Sequence, residues 1–249
     1  MLIRKPISSI FNWAFHTSQH FMINSSPSHT LLLIPAYNTG KYLPELLDRI
    51  SKVHPLKDTV IVNDGSTDDT QTVAVKYAVK VIIHSHNRGK GAALVSGFQY
   101  ARMRNYGGVV TIDADLQHPP EYIPKLIAYA LEGGFDMVIG SRRQKMNEIP
   151  LSRRISNYTS SAITSMITKT NIQDSQCGFR YISRLLLETI SLTETGYLME
   201  TEIIIKAARA GMKIGFMPIP VIYNDSASSI NKASDTLRFI RLTLRSLFT

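Results

Sequence analysis

The sequence is poor in the features that stabilise small secreted proteins or anchor proteins in a bilayer. A single cysteine, Cys177, occurs in 249 residues, which excludes an intrachain disulfide and a cysteine-based zinc site and favours a reducing compartment. Apolar runs stay shorter than the roughly eighteen residues that a spanning helix requires, and polar residues interrupt residues 1–29. We therefore expect neither a signal peptide nor a transmembrane anchor.

Two nucleotide-binding patterns are also absent. Neither Gly-x-x-x-x-Gly-Lys-Ser/Thr nor Gly-x-Gly-x-x-Gly occurs, so the sequence predicts neither a P-loop for nucleotide hydrolysis nor a dinucleotide site for hydride transfer. Aromatic residues make up 8% of the chain and do not alternate with a basic stripe, so we expect no nucleic-acid binding. The net charge of +9 then favours phosphorylated substrates or an anionic membrane surface as partners.

Apolar and polar segments alternate along the chain as they do in a wound α/β domain. Hydrophobic residues make up 44% of the sequence, enough for one large core. Short apolar runs predict strands at 31–35, 59–62, 79–84, 108–112 and 136–140, and helical patterns follow at 41–52, 68–78, 91–104 and 120–131. Later segments predict helices at 152–170 and 199–210, an edge strand or turn at 176–183 and a strand at 213–222. We expect a single α/β domain with a mostly parallel central sheet.

Two carboxylates follow the fourth predicted strand. Residues 109–120 read Val-Val-Thr-Ile-Asp-Ala-Asp-Leu-Gln-His-Pro-Pro, so Asp113 and Asp115 come directly after an apolar run and Gln117 stands two residues later. In an open α/β sheet, ligands bind at the carboxyl ends of the strands, and alternate carboxylates suit a divalent cation that also binds phosphates. A solvated turn is the alternative for an isolated Asp-x-Asp. The preceding strand and the following helix start favour a site for a cation and a diphosphate.

Two further segments bring polar groups to the ends of predicted elements. A strand ends at Asp64, and Gly65 and candidate cap residues follow. We expect Asp64 to be free to face a ligand such as a ribose hydroxyl or a base edge, with an ordinary Asx turn as the alternative. At 87–91 the sequence Asn-Arg-Gly-Lys-Gly opens a small-residue helix around Lys90, and such a helix start favours a nearby anion.

Six motifs follow one another along residues 30–224. They are Ile-Pro-Ala-Tyr-Asn at 34–38, Asn-Asp-Gly-Ser-Thr-Asp at 63–68, Asn-Arg-Gly-Lys-Gly at 87–91, Asp-Ala-Asp-Leu-Gln-His-Pro-Pro-Glu at 113–121, Gly-Ser-Arg-Arg at 140–143 and Asp-Ser-Gln-Cys-Gly-Phe-Arg at 174–180. In this order they resemble the family 2 glycosyltransferases of GT-A fold, and among them the dolichyl- or polyprenyl-phosphate sugar synthases. The ordered set is far more specific than any single motif.

The resemblance implies roles for individual residues. Asp113, Asp115 and Gln117 would hold Mg²⁺ or Mn²⁺, and Asp115, Gln117 and Arg142 would carry the catalytic roles. The implied donor-binding set is Pro35, Tyr37, Val62, Asp64, Lys90, Asp113 and Ala114. The implied acceptor-binding set is Arg142, Arg143, Arg153, Arg154 and Lys232. Thr39 departs from the family pattern, because many relatives carry an acidic residue there, and this leaves the donor's identity open.

The resemblance also implies a reaction, in which a sugar moves with inversion from a GDP- or UDP-linked donor to a polyprenyl phosphate. A lipid phosphate is already ionised at neutral pH, so basic side chains that position it suffice. Two alternatives stay open. Transfer to a hydroxyl of a glycolipid or saccharide would need a carboxylate base, for which Glu200, Glu202 and Asp174 are the candidates. A non-catalytic subunit that binds nucleotide sugars is the second.

The two ends of the chain are expected to lie outside the catalytic domain at 30–224. In residues 225–249, apolar residues at spacings of three or four and arginines on another face predict a basic amphipathic helix after a flexible loop. That helix would lie on anionic lipid, bind a partner or dock on its own domain, and the apolar N-terminal extension at 1–29 would contribute similarly. We expect a cytoplasmic protein, peripheral at the cytoplasmic face of a membrane, with a membrane-embedded partner subunit as another means of attachment.

Four remaining residues are expected to have no catalytic role. His84 and His86 are interpreted as loop histidines, because no third metal ligand stands near them in the sequence. His118 adjoins the carboxylate pair, but the following two prolines are expected to hold it outward. Cys177 is expected to be unreactive.

Overall fold

The structure, a computed structural model, describes residues 29–142, 151–194, 196, 198–220 and 222, with the backbone alone for 151–153. Within these residues, no helix is both long enough and apolar enough to cross a membrane. The predicted terminal segments at 1–29 and 225–249 lie outside the described residues, apart from His29.

A seven-stranded sheet forms the centre of the described chain, in the order β3-β2-β1-β4-β6-β5-β7. Its strands are β1 (Thr30–Ala36), β2 (Thr59–Asn63), β3 (Lys80–Ile83), β4 (Gly108–Thr111), β5 (Met137–Ser141), β6 (Arg180–Ser183) and β7 (Ile214–Pro218). Every pairing is parallel except the two that β6 makes with β4 and β5. The predicted α/β class and the mostly parallel sheet are confirmed.

Helices connect most of the parallel strands and cover the sheet. They are α1 (Leu43–Ser51), α2 (Thr70–Lys76), α3 (Lys90–Met103), α4 (Ile123–Glu132), α5 (Leu151–Thr168), α6 (Arg184–Thr189) and α7 (Met199–Arg209). Helix α1 shows why these segments fold as they do: Leu43, Leu46, Leu47 and Ile50 recur at helical spacing and are fully buried. Strand β1 is a continuous apolar run after Thr30, and each of its residues except Pro35 is buried, as expected of a strand covered on both faces.

Strand β6 departs from the prediction of an edge strand or turn at 176–183. It lies inside the sheet between β4 and β5, and Tyr181 pairs with Val110 on one side and Val138 on the other. The prediction was wrong because a four-residue strand with polar ends resembles an edge, whereas this one gains its position from long-range pairing. Helix α6, which the sequence pattern did not indicate, follows at once, and Ser183 caps it by accepting a hydrogen bond from the Leu186 N–H.

Candidate functional site

Four of the predicted site residues lie at the carboxyl ends of four strands. Tyr37 follows β1, Asp64 follows β2, Asp113 stands two residues beyond β4, and Arg142 follows β5. All four strands run in the same direction, so their ends meet at one edge of the sheet. This is the edge at which open α/β sheets bind ligands.

Lys90 links this edge to helix α7 through two carboxylates. Its Nζ lies 2.6 Å from Asp113 Oδ1 and 2.9 Å from Glu200 Oε1, and the three side chains are 18%, 25% and 9% exposed. Burial alone would raise the pKa of Asp113, but Lys90 and other basic groups nearby together lower that pKa. Burial would likewise lower the pKa of Lys90, and the two carboxylates raise it instead. In the structure Lys90, which was predicted to bind the donor, forms ion pairs with two carboxylates.

Asp115 is the second carboxylate of the cluster. Burial, followed by the negative charge of Asp113, raises its pKa to about 6. Its Oδ1 accepts a hydrogen bond from the Gln117 backbone N–H at 3.0 Å, which draws Gln117 back toward the carboxylate pair. Two carboxylates close enough to oppose each other's ionisation form a region of negative potential that favours a cation.

The side chains of this cluster fit a divalent cation that is bound together with phosphate. Asp113, Asp115 and Gln117 offer only oxygen ligands, which Mg²⁺ and Mn²⁺ prefer. Among the described residues, no three His, Cys, Asp or Glu side chains are grouped so that they could hold a metal by themselves. Two carboxylates and an amide therefore match a cation whose remaining ligands come from a diphosphate.

Asp64 differs from the prediction that its side chain is free to face a ligand. The residue is buried, and its carboxylate accepts hydrogen bonds from the Arg88 N–H at 3.0 Å and the Gly89 N–H at 2.7 Å. His84 Nδ1 lies 2.6 Å from Asp64 Oδ1, and His84 Nε2 lies 2.9 Å from Ser96 Oγ. His84 lies in the loop just after β3, as interpreted from the sequence, and there it is buried and supports the carboxylate.

This arrangement fixes the start of helix α3. Gly89 has a φ of +94°, a conformation that favours glycine, and the Asp64 carboxylate holds its N–H. Lys90 is the next residue, so Asp64 and His84 position the backbone from which Lys90 reaches Asp113. Asp64 thus contributes to the site through the loop that it binds.

Arg142 pairs with Asp174 across the sheet edge. Its Nε lies 2.6 Å from Asp174 Oδ2, and its Nη2 lies 2.9 Å from Oδ1, a two-pronged contact. Burial alone would raise the pKa of Asp174, but Arg142 lowers it. A cleft beside the pair is lined by Arg142 and Asp174 together with residues of α5 and of 171–173, among them Asn157, Tyr158 and Ser161.

His118 lies beneath the cluster, contrary to the prediction that prolines hold it outward. It is 3% exposed, its ring stacks on Phe179 with centroids 5.8 Å apart, and its Nε2 lies 4.0 Å from Cys177 Sγ. Burial lowers its pKa to about 4, so the ring is neutral at physiological pH. Burial also raises the pKa of Cys177 to about 12, which keeps the thiol protonated and agrees with the expectation that it is unreactive.

Gly178 allows β4 and the chain leading into β6 to approach each other. A Cβ built on Gly178 would lie 2.4 Å from Asp113 Oδ2, so only glycine leaves the carboxylate in place. The adjoining Arg180 is buried, and its guanidinium donates hydrogen bonds to the carbonyls of Ser175, Cys177 and Glu200. The motif at 174–180 therefore supports Asp113 and the start of α7 from below.

The remaining predicted residues differ in what the structure shows of them. Tyr37 is 46% exposed at the sheet edge, whereas Val62 and Ala114 are buried in the core, so the Val62 side chain offers no surface to a nucleotide. Pro35 and Arg154 are half-buried. Arg143 and Lys232 lie outside the described residues, as does the side chain of Arg153.

Two of the three carboxylates that were candidates for a general base are at the site. Glu200 contacts Lys90, and Asp174 contacts Arg142. Glu202 is buried elsewhere and accepts hydrogen bonds from the N–H groups of Thr193 and Glu194, so the structure gives it the role of holding that loop.

The sequence motifs indicated the candidate site residues themselves but gave no role to the residues that support them. His84, Gly178 and Arg180 hold the loops under the site. The carboxylates that His84 and Gly178 support, Asp64 and Asp113, lie 20 or more positions away from them in sequence. Gly178 and Arg180 did carry a sequence signal, because their motif at 174–180 was singled out, although no role followed from it.

Comparison with known proteins agrees with this geometry. A family model described as glycosyl transferase family 2 matches residues 32–191. Polyprenol monophosphomannose synthase of Mycolicibacterium smegmatis is 29% identical over 217 residues, which are 82% of this chain and 81% of that protein. Undecaprenyl-phosphate mannosyltransferase of Micrococcus luteus is 30% identical over 210 residues, 80% of this chain and 86% of that protein.

A solved structure shows the same fold at lower identity. Glucosyl-3-phosphoglycerate synthase from Mycobacterium tuberculosis in complex with UDP superimposes with a TM-score of 0.70 at 22% identity, over 88% of this chain and 80% of that chain. That enzyme has also been solved with Mn²⁺ and UDP-glucose. The ordered motifs, the sheet edge and the family match agree with one another, and the chain therefore belongs to glycosyl transferase family 2 and is a glycosyltransferase of GT-A fold.

Proposed function

We propose that the protein transfers a hexose from a GDP- or UDP-linked donor to a polyprenyl phosphate, with inversion at the anomeric carbon and with a divalent cation. The observation that carries this proposal is the position of Asp113 and Asp115 at the same sheet edge as Arg142 and Lys90. Anionic and cationic groups stand there side by side, as transfer between two phosphate-bearing substrates requires.

The donor half of the site is proposed to form around the carboxylate cluster. Mg²⁺ or Mn²⁺ would be held by Asp113, Asp115 and Gln117 and would supply Lewis-acid stabilisation of the leaving nucleoside diphosphate. Tyr37, exposed after β1, would contact the nucleotide, together with the backbone near Pro35, Val62 and Ala114. Once a cation shares the Asp113 carboxylate, the Lys90 ammonium would also be available to contact the diphosphate.

The acceptor half is proposed to form around Arg142. An oxygen of the acceptor phosphate attacks the anomeric carbon, the bond from that carbon to the donor phosphate breaks, and the nucleoside diphosphate leaves with the electron pair. Because the attacking oxygen is already ionised, no base has to remove a proton. Asp174 holds the Arg142 guanidinium in place, and Arg143, Arg153, Arg154 and Lys232 are proposed as further contacts with the acceptor.

The names of the two enzymes described above support a lipid phosphate as the acceptor, since both name polyprenol or undecaprenyl phosphate. We place the reaction at the cytoplasmic face of a membrane, where such an acceptor and cytoplasmic nucleotide sugars meet. Attachment would come from the protein surface, from the terminal segments or from a membrane-embedded partner subunit.

A radiolabel transfer assay tests the proposal. Purified protein with Mg²⁺ or Mn²⁺, polyprenyl phosphate in detergent and a panel of GDP- and UDP-linked sugars should give label in the lipid phase with one donor. Asp115→Asn should abolish transfer, whereas Asp69→Asn, at an exposed carboxylate just before α2, should not. Donor hydrolysis without lipid product would refute the acceptor and leave a glycolipid or saccharide hydroxyl, with Glu200 as its base.

Binding of the cation can be measured without turnover. Binding of Mn²⁺ in the presence of the nucleoside diphosphate, followed by electron paramagnetic resonance, should be lost in Asp115→Asn and kept in Asp69→Asn. Equal binding by the two variants would remove Asp115 from the ligand set.

A further inference from the structure

Helix α5 turns its polar side chains toward the protein. Ser160, Ser161 and Thr164 are buried. The Ser160 hydroxyl lies 2.8 Å from the Ser175 hydroxyl, and the Ser161 hydroxyl accepts a hydrogen bond from the Ser175 N–H at 3.0 Å. Ser165 continues this face by accepting a hydrogen bond from the Ile172 N–H at 2.9 Å. Hydroxyl groups therefore line the buried face of this helix.

The opposite face of α5 points to solvent and carries a row of apolar side chains beside the exposed Ser156 and Thr159. Ile155, Tyr158, Ala162 and Met166 recur at spacings of three and four, so they form one stripe. Ile155 is 57% exposed, Tyr158 61% and Met166 82%, and Ala162 is exposed as well. A surface helix of a water-soluble domain normally has the reverse arrangement, so this stripe favours an apolar environment outside the domain.

The charges around the stripe favour anionic lipid as that environment. Residues 151–173 contain Arg153, Arg154 and Lys169 and no Asp or Glu. Lys169 is exposed just beyond the last turn of the helix. Apolar residues flanked by basic ones and free of acidic ones are the pattern of a helix that lies in the interface of an anionic bilayer.

The position of the stripe relative to the site agrees with this environment. Tyr158 and Ala162 also line the cleft that contains Arg142, so one helix borders both the solvent-facing stripe and the residue proposed to bind the acceptor phosphate. An acceptor whose phosphate reaches that cleft keeps its prenyl chain beside α5.

We infer that helix α5 lies in the surface of an anionic membrane through the stripe of Ile155, Tyr158, Ala162 and Met166. The inference rests on the proposed transfer to a lipid phosphate, because that acceptor explains why the site faces the bilayer. It adds to that proposal the element that contacts the membrane. It assigns membrane contact to an element of the catalytic domain itself, independent of the terminal segments.

Sedimentation with vesicles tests the inference, with no donor and no prenyl phosphate present. The full chain is mixed with vesicles of phosphatidylglycerol and phosphatidylcholine, and with vesicles of phosphatidylcholine alone. The double variant Ile155→Gln/Met166→Gln should partition about tenfold more weakly into the anionic vesicles, the loss expected when two partly inserted apolar side chains become polar. The matched control is Leu185→Gln/Met103→Gln, whose native side chains are 58% and 77% exposed on α6 and α3, and it should partition as the native protein does.

A second pair of variants keeps the test decisive if the double variant unfolds. Met166→Trp should strengthen binding, and its added fluorescence should shift to shorter wavelength with vesicles, because indole favours the interface. Met103→Trp should show neither change. Equal behaviour of the α5 variants and the control variants would overturn the inference. It would also be overturned if light scattering showed that the native protein is a dimer and that Ile155→Gln/Met166→Gln is a monomer, because a second copy would then cover the stripe.

Transfer to a short, water-soluble prenyl phosphate separates this inference from the proposed function. The Ile155→Gln/Met166→Gln variant should retain that activity. If no prenyl phosphate is glycosylated but vesicle binding still depends on α5, the proposed function fails and the membrane contact stands. If transfer occurs and vesicle binding ignores α5, the reverse holds.

Discussion

Lys90 places one ammonium group between two carboxylates that come from distant parts of the chain. Asp113 follows β4, and Glu200 lies in the first turn of α7. The three groups are mostly buried, so the ammonium compensates charges that water reaches only in part. Removing one member of a buried ion pair usually costs more than the pair itself contributes, because the remaining charge loses its partner.

Lys90→Met should lower the free energy of unfolding by about 3 kcal/mol, measured by urea denaturation at pH 7. Lys76→Met, at an exposed lysine of α2, should change it by less than about 0.5 kcal/mol. Added Mn²⁺ should restore more stability to Lys90→Met than to the native protein, because a cation replaces the lost charge. Equal losses in the two variants would show that Lys90 does not balance the carboxylates.

Asp115 should make cation binding depend on pH. Its pKa of about 6 means that the carboxylate is ionised at pH 7 and protonated at pH 5, where a cation has to displace a proton. The affinity for Mn²⁺, measured without nucleotide by electron paramagnetic resonance, should fall with each pH unit below 6 by up to about tenfold. Asp115→Asn should bind weakly at every pH, and an unchanged slope in that variant would assign the titration to another group.

His118 should make the native fold less stable in acid. Burial lowers its pKa from 6.5 to about 4, so the unfolded chain binds a proton in this range while the folded chain does not. Stability from this group is present above pH 6.5 and is lost as the pH falls toward 4, by about 2 kcal/mol at pH 5. Between about pH 4 and pH 6, the raised pKa of Asp115 has the opposite effect on stability, because there the folded chain binds a proton that the unfolded chain does not.

Comparing variants isolates the His118 contribution. The loss of stability between pH 7 and pH 5, measured by thermal unfolding, should be smaller in His118→Gln than in the native protein. His86→Gln, at an exposed histidine, should follow the native curve. An acid response that is the same in His118→Gln as in the native protein would count against a buried neutral ring.

The turn before β6 supports the carboxylate cluster from the opposite side of the sheet edge. Gly178→Ala would bring a methyl group to 2.4 Å from Asp113 Oδ2, so the carboxylate has to move and its contact with Lys90 changes. Transfer activity should fall about 100-fold, the cost of a displacement near 1 Å in a reacting site. Gly107→Ala, where the nearest atom would lie 3.8 Å from the new Cβ, should retain activity. Similar activities in the two variants would refute the close packing.

The strands and helices before residue 142 could be predicted because their patterns are local. Each parallel strand is a short apolar run, as in Thr30–Ala36 and Thr59–Asn63, and each following helix repeats its apolar residues at helical spacing. Strand β6 could not be placed, since its position depends on pairing with β4 and β5, which lie far away in sequence. The inverted faces of α5 were also out of reach, because its serines and threonines look solvent-exposed until Ser175 is known to lie beneath them.

The candidate site divides in the same way. Asp113 and Asp115 could be identified because they directly follow a buried strand. The contacts of Lys90 with Asp113 and Glu200, of Arg142 with Asp174, and of His84 with Asp64 join residues 20 to 110 positions apart, and no local pattern encodes them. The error about Asp64 has this origin: its position at the strand end was right, but the loop that occupies its carboxylate comes later in the chain.

The charge of the whole protein should not make it a nucleic-acid-binding protein. The net charge is +9, but acidic and basic residues nearly balance in 29–142, and the excess lies mainly in 143–249. Binding to labelled single-stranded RNA, followed by fluorescence anisotropy, should be undetectable at micromolar protein and physiological salt, while binding to anionic vesicles persists. Salt-sensitive binding to RNA that is detectable at micromolar protein and physiological salt would contradict the assignment.

The position of β6 between β4 and β5 also bears on how the chain is made and folded. During synthesis, β4 and β5 emerge before the strand that joins them, so the nascent domain has two halves with open edges until residue 183 has left the ribosome. Unpaired edges of this kind attract other strands, and contacts between distant segments form slowly. The sheet is therefore closed by one of its shortest strands, and the carboxylate cluster reaches its final form only after that strand and α7 are in place.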